Sequence, residues 1–545
     1  MNRYNNLKDI ILSGSLLILI ACTAISCDDA NDWSTDDTYN RLFHTTSISI
    51  APTATEAEVT WTTVPKASYY IIEVSKDSLY EDEIQSTSLV YGEDKSITES
   101  PYTLSDLDSS SKYYIRIRSC SESMSESKWA YYEDFFFKTK SEQIMSSVTS
   151  ADKTSSSATL RWTAGKTVSS LEVVVGGGSI VQTITLTSDD VANGYVTIKG
   201  LSPETTYTAN LYNGETKRGY VTFETYPEVP EADKIVYLIA GDSINQTMFD
   251  EFATASYSSV TLAIPAGTLF SNNSGLSIPD GLSINFFGLP GDSKAILSIK
   301  AITLSSNHSF IKFNNLDITG YVYENGTITS TQNSYLFNQS AATNVNLIAF
   351  DDCLVHDFAN TPFRLQSSGA KTIGTLSYNN CIVSNLKDSY YFINVDASGV
   401  GVVNNISITK STFNGVGRFI LSKSTDTTSI LFDECTFYNM IASSRYFIDF
   451  GGTSNGPSNG IGISNCLFAL TQSTTAKGIR SSATATVNNS YVTSDWVFSS
   501  NAIAGTTSYS GTSTDLFTAP STGDFTIKDN SFSGSDTCGD PRWRN

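Results

Sequence analysis

Histidine is nearly missing from this chain: there are three in 545 residues, beside five methionines and thirteen prolines. A metal centre built on histidines is therefore not expected. Positive charge is also short, with 34 Lys and Arg against 55 Asp and Glu and a formal net charge of −21. That balance argues against nucleic acid and against an anionic membrane surface as partner. An acidic polysaccharide stays open, but it would need local basic residues or a bridging cation. The apolar run near the start, Ile10 to Ala21, is shorter than the about 20 residues a membrane-spanning helix needs. Paired long helical patterns are missing throughout. Eight cysteines look like a disulfide set until their positions are read: four of them occupy one position of a repeat. There they act as small buried hydrophobes, and free core thiols are expected. With 40% hydrophobic and 11% aromatic residues the chain is globular, and its length calls for two to four domains.

A short phrase recurs seven times between Phe313 and Val492. It reads apolar, polar, usually Asn or Asp, then Cys or Ser, any residue, apolar. The copies open at Phe313, Phe350, Tyr378, Ile408, Phe432, Ile463 and Val487, with spacings of 37, 28, 30, 24, 31 and 24 residues. Such a period marks a solenoid, in which each repeat buries its apolar face against its neighbours. Within each phrase apolar residues alternate, and Val, Ile, Phe and Thr dominate, so the phrases read as strand. Each repeat is then one coil of a parallel β-helix. Coils stacked at ~4.8 Å align equivalent side chains into ladders. Cys353, Cys381, Ser411, Cys435, Cys466 and Ser490 become an internal column of small side chains. Ile318, Val355, Val383, Phe413, Phe437, Phe468 and Val492 become an apolar column beside it.

Upstream, residues 1–27 read as processing rather than fold. Arg3 and Lys8 precede the apolar run, which ends in Ser26-Cys27-Asp28-Asp29. This resembles a bacterial lipobox, and the acidic residues after Cys27 resemble the surface-export signal of Bacteroidetes-type lipoproteins. Cys22 also fits a lipobox, but Cys27 is preferred as the lipidated residue. Residues 28–44 read as an acidic tether. Two β-sandwiches follow, over 45–140 and 143–226. In the first, Glu58-Val59-Thr60-Trp61 and Tyr69 to Val74 are strands, and Leu107 and Tyr113 lead into Tyr114 to Arg118. In the second, Leu160-Arg161-Trp162 and Leu201-Ser202-Pro203-Glu204-Thr205-Thr206-Tyr207 repeat the signals. Both resemble fibronectin type III modules, whose Tyr closes a corner at the end of the sandwich. Modules of this kind usually act as spacers.

Residues 235–545 hold the solenoid. Met248, Phe249 and Phe252 stand at helical spacing ahead of it and would cover its exposed first coil. Val260 to Gly267 and Leu282 to Gly288 resemble the opening coils of pectate-lyase-like right-handed β-helices. Gly523-Asp524-Phe525 and Gly539-Asp540-Pro541-Arg542-Trp543 resemble the tail of Bacteroidetes polysaccharide-utilisation lipoproteins of uncharacterised function. The resemblance implies an all-β chain, two fibronectin type III-like sandwiches followed by a right-handed parallel β-helix. It also implies lipid anchoring at the outer membrane, exposure at the cell surface, and a glycan importer as neighbour.

Hydrolases of the resembled fold need clustered carboxylates with a nearby His and a Gly-His-Gly signature, and no Gly-His-Gly occurs here. Lyases need carboxylates that hold Ca²⁺ against a uronate and an Arg or Lys that abstracts a proton. Asp351, Asp352 and Arg364 are the catalytic candidates for that reaction, and Asp351, Asp352 and Asp357 the candidate metal ligands. In sister coils the same positions are Asn379-Asn380 and Asn488-Asn489, which favours plain turn-capping. A cofactor is otherwise not expected.

A second column follows each Cys or Ser by seven to eleven residues: Arg364-Leu365, Tyr391-Phe392, Arg418-Phe419 and Tyr446-Phe447. With the apolar member pointing inward, Arg364, Tyr391, Arg418 and Tyr446 stack outward with Arg445 alongside. Tyr offers sugar-stacking faces, and an Arg fork fits a carboxylate bidentately. The leading expectation is a non-catalytic surface lipoprotein that binds an acidic, pectin-like polysaccharide for capture and uptake. A Ca-dependent polysaccharide lyase and an adhesin or structural surface protein are the competing readings.

Overall fold

A computed structural model of the chain describes residues 40–544 apart from Ser368; the expected signal, Cys27 and most of the tether lie outside the described residues. The described chain divides into two compact units. One holds the described residues up to Val148 with Thr159–Ile198 and Thr206–Glu224; the other holds Thr225 onward with Thr149–Ala158 and Lys199–Thr205.

Both sandwiches are antiparallel and fibronectin type III-like. In the first, strands Ser49–Pro52, Ala57–Thr60 and Tyr102–Leu104 form one sheet, and Tyr69–Ser75 pairs with Leu89–Tyr91 and Lys112–Cys120 in the other. Trp61 and Tyr70 meet edge-on between them, ring centroids 5.1 Å apart. The expected corner is present: the Tyr113 hydroxyl accepts a 2.8 Å bond from the Asp108 backbone N–H. An ion pair lies fully buried on the second sheet, where Arg116 Nε donates to Glu73 Oε2 at 2.7 Å and the guanidinium stacks on Trp129. In the second sandwich, Ser170–Val175, Ser179–Thr185, Thr206–Asn213 and Thr216–Glu224 form one sheet and Ser157–Arg161 pairs with Tyr195–Lys199. Trp162 and Tyr207 are buried.

From Lys234 onward the chain winds as a parallel β-helix with three faces, two of ten strands and one of eight. The helix Gln246–Thr254 stands at the leading end as expected. Asn245 caps it by accepting from the Met248 N–H at 3.1 Å, and Phe249 and Phe252 enter the core. The strands Ser259–Ile264 and Ser283–Gly288 pair in register along their whole length, and Lys234–Tyr237 pairs ahead of them.

Each recurring phrase turns the corner between the first and second faces. Its third residue (Asn315, Asp352, Asn380, Lys410, Glu434, Asn465 or Asn489) adopts a left-handed backbone, φ 40 to 54°. Asn and Asp tolerate that conformation best among residues with a side chain, which is why the phrase is so rich in them. The next residue drops into the core. Cys353, Cys381, Ser411, Cys435, Cys466 and Ser490 are all buried, and the residue after each later member bonds back to the carbonyl of the one below. Examples are Ile382 N–H to Cys353 O at 2.9 Å and Leu467 N–H to Cys435 O at 2.8 Å. The six lie rung on rung, and the four cysteines among them are free thiols. The neighbouring apolar column superposes from Ile318 through Val355, Val383, Phe413, Phe437 and Phe468 to Val492.

The C-terminal tail covers the outside of the second face. The Asp540 carboxylate is buried, accepts from Thr412 Oγ1 at 2.7 Å and pairs with Arg542 at 3.0 Å. Arg542 also reaches the Asn380 carbonyl at 2.7 Å, and the Trp543 indole donates to Thr412 Oγ1 at 2.8 Å.

Candidate functional site

The third face carries the residues singled out as a binding row, but its register differs from the expected one. Phe337, Phe363, Ile393, Ile420, Ile448 and Ile479 form the inward column. Two residues before each, at the corner where the second face meets the third, stand Tyr335, Thr361, Tyr391, Arg418, Tyr446 and Lys477. Tyr391, Arg418 and Tyr446 thus share a column, with Arg445 one residue back, but Tyr391 is buried rather than turned outward. Arg364 does not. It belongs to the outward column with Asn338, Asn394, Leu421, Asp449 and Arg480. The reason is the corner loop: the inward residue follows the Cys or Ser by nine to thirteen residues from coil to coil, so counting from the Cys misplaces the third strand. Tyr335 and Lys477 take part instead, and only the register shows them.

The arginines differ in how their charge is satisfied. Arg364 donates to Asp396 Oδ2 from Nε at 3.1 Å and from its terminal nitrogen at 2.7 Å, and its plane lies 4.4 Å from the Tyr390 ring. Arg480 holds Asp449 the same way at 2.8 and 2.7 Å and covers Tyr446 at 4.4 Å. Tyr391 is buried, its hydroxyl donating to Asp449 at 3.2 Å; burial and the adjacent carboxylate push its phenol up. Asp396 and Asp449, which hold this arrangement, gave no signal in the sequence beyond their place at strand ends.

Arg418 and Arg445 stand apart. Neither forms an ion pair or a side-chain hydrogen bond among the described residues, and the Nε of each is buried without a partner. Burial, and then the charge of Arg445, hold the Arg418 guanidinium below the ordinary arginine range. The Asp388 carboxylate acts on Arg418 without forming an ion pair and does not offset these effects; two half-buried cations side by side are unfavourable alone, and an anion between them relieves both desolvation and repulsion.

The residues considered for lyase chemistry do not converge. Asp352 sits in the left-handed corner column, bonded at 2.7 Å to the Lys294 ammonium. Asp351 accepts from Asn379 at 2.7 Å one coil on. Asp357 lies beyond the second face, holding His356 Nδ1 at 2.6 Å while Asp317 holds Nε2 at 2.7 Å. Arg364 is on the third face, engaged with Asp396. No group of three or more His, Cys, Asp or Glu among the described residues is placed to hold a metal ion. The corner positions act as turn and ladder residues, like the asparagines of sister coils.

A family described as a domain of unknown function, DUF5123, matches residues 430–543, the last coils and the tail that straps them. No curated protein matches the chain. Among solved structures, a two-domain fibronectin type III segment of chicken tenascin is 19% identical, with 33% of this chain and 97% of that one covered and a TM-score of 0.20. The central fibronectin III array of RIM-binding protein is 18% identical, with 35% and 64% covered and a TM-score of 0.12.

Proposed function

We propose that this chain is a cell-surface protein, anchored to the outer membrane through Cys27, that captures an acidic, extended, pectin-like polysaccharide without cleaving it and passes it to a glycan importer. Fibronectin-like modules ahead of a β-helix suit a surface or structural protein. What carries the finer reading is the Arg418–Arg445 pair, two cations that form no ion pair among the described residues, in a chain of net charge −21. They sit on a row with Tyr391 and Tyr446, rung spacing ~4.8 Å, so a linear ligand meets a linear site. Uronate carboxylates would bridge the guanidinium groups.

Calorimetry with polygalacturonate on the wild-type protein and on Arg418→Ala with Arg445→Ala tests this. Binding that weakens about tenfold or more in the double variant, about 1.4 kcal/mol, supports it; equal affinity overturns it. Incubation with polygalacturonate and Ca²⁺, followed by ultraviolet absorbance, tests the absence of cleavage. Release of unsaturated products would replace capture with lyase activity.

A further inference from the structure

The row ends at a hairpin. Between its second-face strand Leu316–Thr319 and its third-face strand Phe337–Gln339, the chain makes an antiparallel excursion, Tyr321–Glu324 paired with Thr327–Gln332. This excursion folds back over the same corner of the preceding coils, and the Asn273 amide donates to the Tyr323 carbonyl at 2.9 Å. Between the hairpin and those coils lies a cavity of about 410 Å³, whose lining includes Asn273, Lys300, Thr331, Gln332, Tyr335 and Asn338. That volume falls in the range of small-ligand sites.

Three features make the cavity more than a gap under a loop. Seven of its ten lining residues carry an amide or hydroxyl, the groups that bond sugar hydroxyls, though the surface they present to it is mostly apolar, and Lys300 is its one charged residue. The Lys300 ammonium has no carboxylate partner among the described residues, and the Asn338 amide oxygen lacks a hydrogen bond. Tyr335 is shared with the row: its ring lies against Tyr390 at 6.0 Å and beside the Arg364 guanidinium at 5.9 Å. From the Tyr335 rung to the Tyr446 rung is four steps, roughly 19 Å.

We infer that the cavity receives the terminal uronate of an acidic glycan, its carboxylate at Lys300 and its hydroxyls at Asn338 and the hairpin, so that the row engages a chain from its end. This rests on the row being a glycan site. The physical reason is steric: past Tyr335 the hairpin occupies the corner along which the polymer lies, and a chain following the row runs into the cavity.

The test uses the full protein with trigalacturonate, decagalacturonate and long polygalacturonate, with affinity and stoichiometry measured by calorimetry. End recognition predicts one protein per glycan chain at every length, and Lys300→Ala or Lys300→Glu weakening trigalacturonate about tenfold or more. Several proteins per long chain, or equal affinity in both Lys300 variants, overturns end recognition. If in that case Arg418→Ala with Arg445→Ala still abolishes polymer binding, capture along the row stands without it. Failure of all three probes to bind removes the row and the cavity together.

Discussion

The rings of Phe350 and Tyr378 stack 4.5 Å apart and 1° from parallel, and the phenol oxygen that distinguishes them is buried without a hydrogen bond. Phe286, Phe313 and Phe350 hold equivalent places below. An unsatisfied buried polar group costs about 1–3 kcal/mol. Tyr378→Phe is therefore expected to raise the melting temperature of the solenoid, and Tyr378→Ala to lower it through a cavity worth about 3–5 kcal/mol. A melting temperature that falls in Tyr378→Phe would show the hydroxyl to be bonded.

Asp317 and Asp357 clamp the two ring nitrogens of His356. Burial opposes the charged imidazole, but the hydrogen bonds and charges of the two carboxylates outweigh it, and the pKa rises above 6.5. A raised folded-state pKa means that the clamp stabilises fully below the unfolded value and is lost as pH rises through the folded one. The difference in melting temperature between wild type and His356→Gln is expected to be largest at acid pH and to shrink above neutrality. A difference constant with pH would contradict the charged clamp.

The four cysteines of the core column are free and buried, and burial pushes the Cys381 and Cys435 thiols well up. Thiol reagents should leave the peptides carrying Cys353, Cys381, Cys435 and Cys466 unmodified in the native protein and label all four in denaturant, as read by mass spectrometry. Reductant should not shift the melting temperature. Because Ser411 and Ser490 already fill the column, Cys353→Ser is expected to fold.

Arg364 and Arg418 should separate in a binding assay. Arg364 already holds Asp396 in an ion pair, whereas Arg418 forms none among the described residues. Arg418→Ala is expected to weaken polygalacturonate binding more than Arg364→Ala, with a difference that shrinks in high salt. Arg364→Ala should register instead as lost stability, because it leaves Asp396 without its partner.

In the first sandwich, Glu73 and Arg116 are fully buried together. Removing one partner strands the other charge, so Glu73→Ala is expected to destabilise that module by about 3–5 kcal/mol in denaturant titration.

The solenoid was legible because its phrase joins three constraints within four residues: a left-handed corner at Asp352 or Asn380, a small core residue at Cys353 or Cys381, and an apolar strand residue at Val355 or Val383. Each is a local demand on one side chain, and stacking repeats the demand at every coil. The corner between the second and third faces places no such demand. Its loop lengths vary, so Arg364 could not be told from a member of the row, and Tyr335, Asp396, Asp449 and the Tyr321–Gln332 hairpin carried no signal of their place. Asp351, Asp352 and Asp357 failed to gather for the same reason: nearness in sequence says little across a corner that turns them onto different faces.

What the order of residues determined by itself was the kind of fold and its inner columns, because burying an apolar ladder needs the same residue types at every rung. What only the folded chain decided was which outward side chains face one another and which charges find a partner. Register across a variable corner is set by packing between coils, and that energy is written in no single coil.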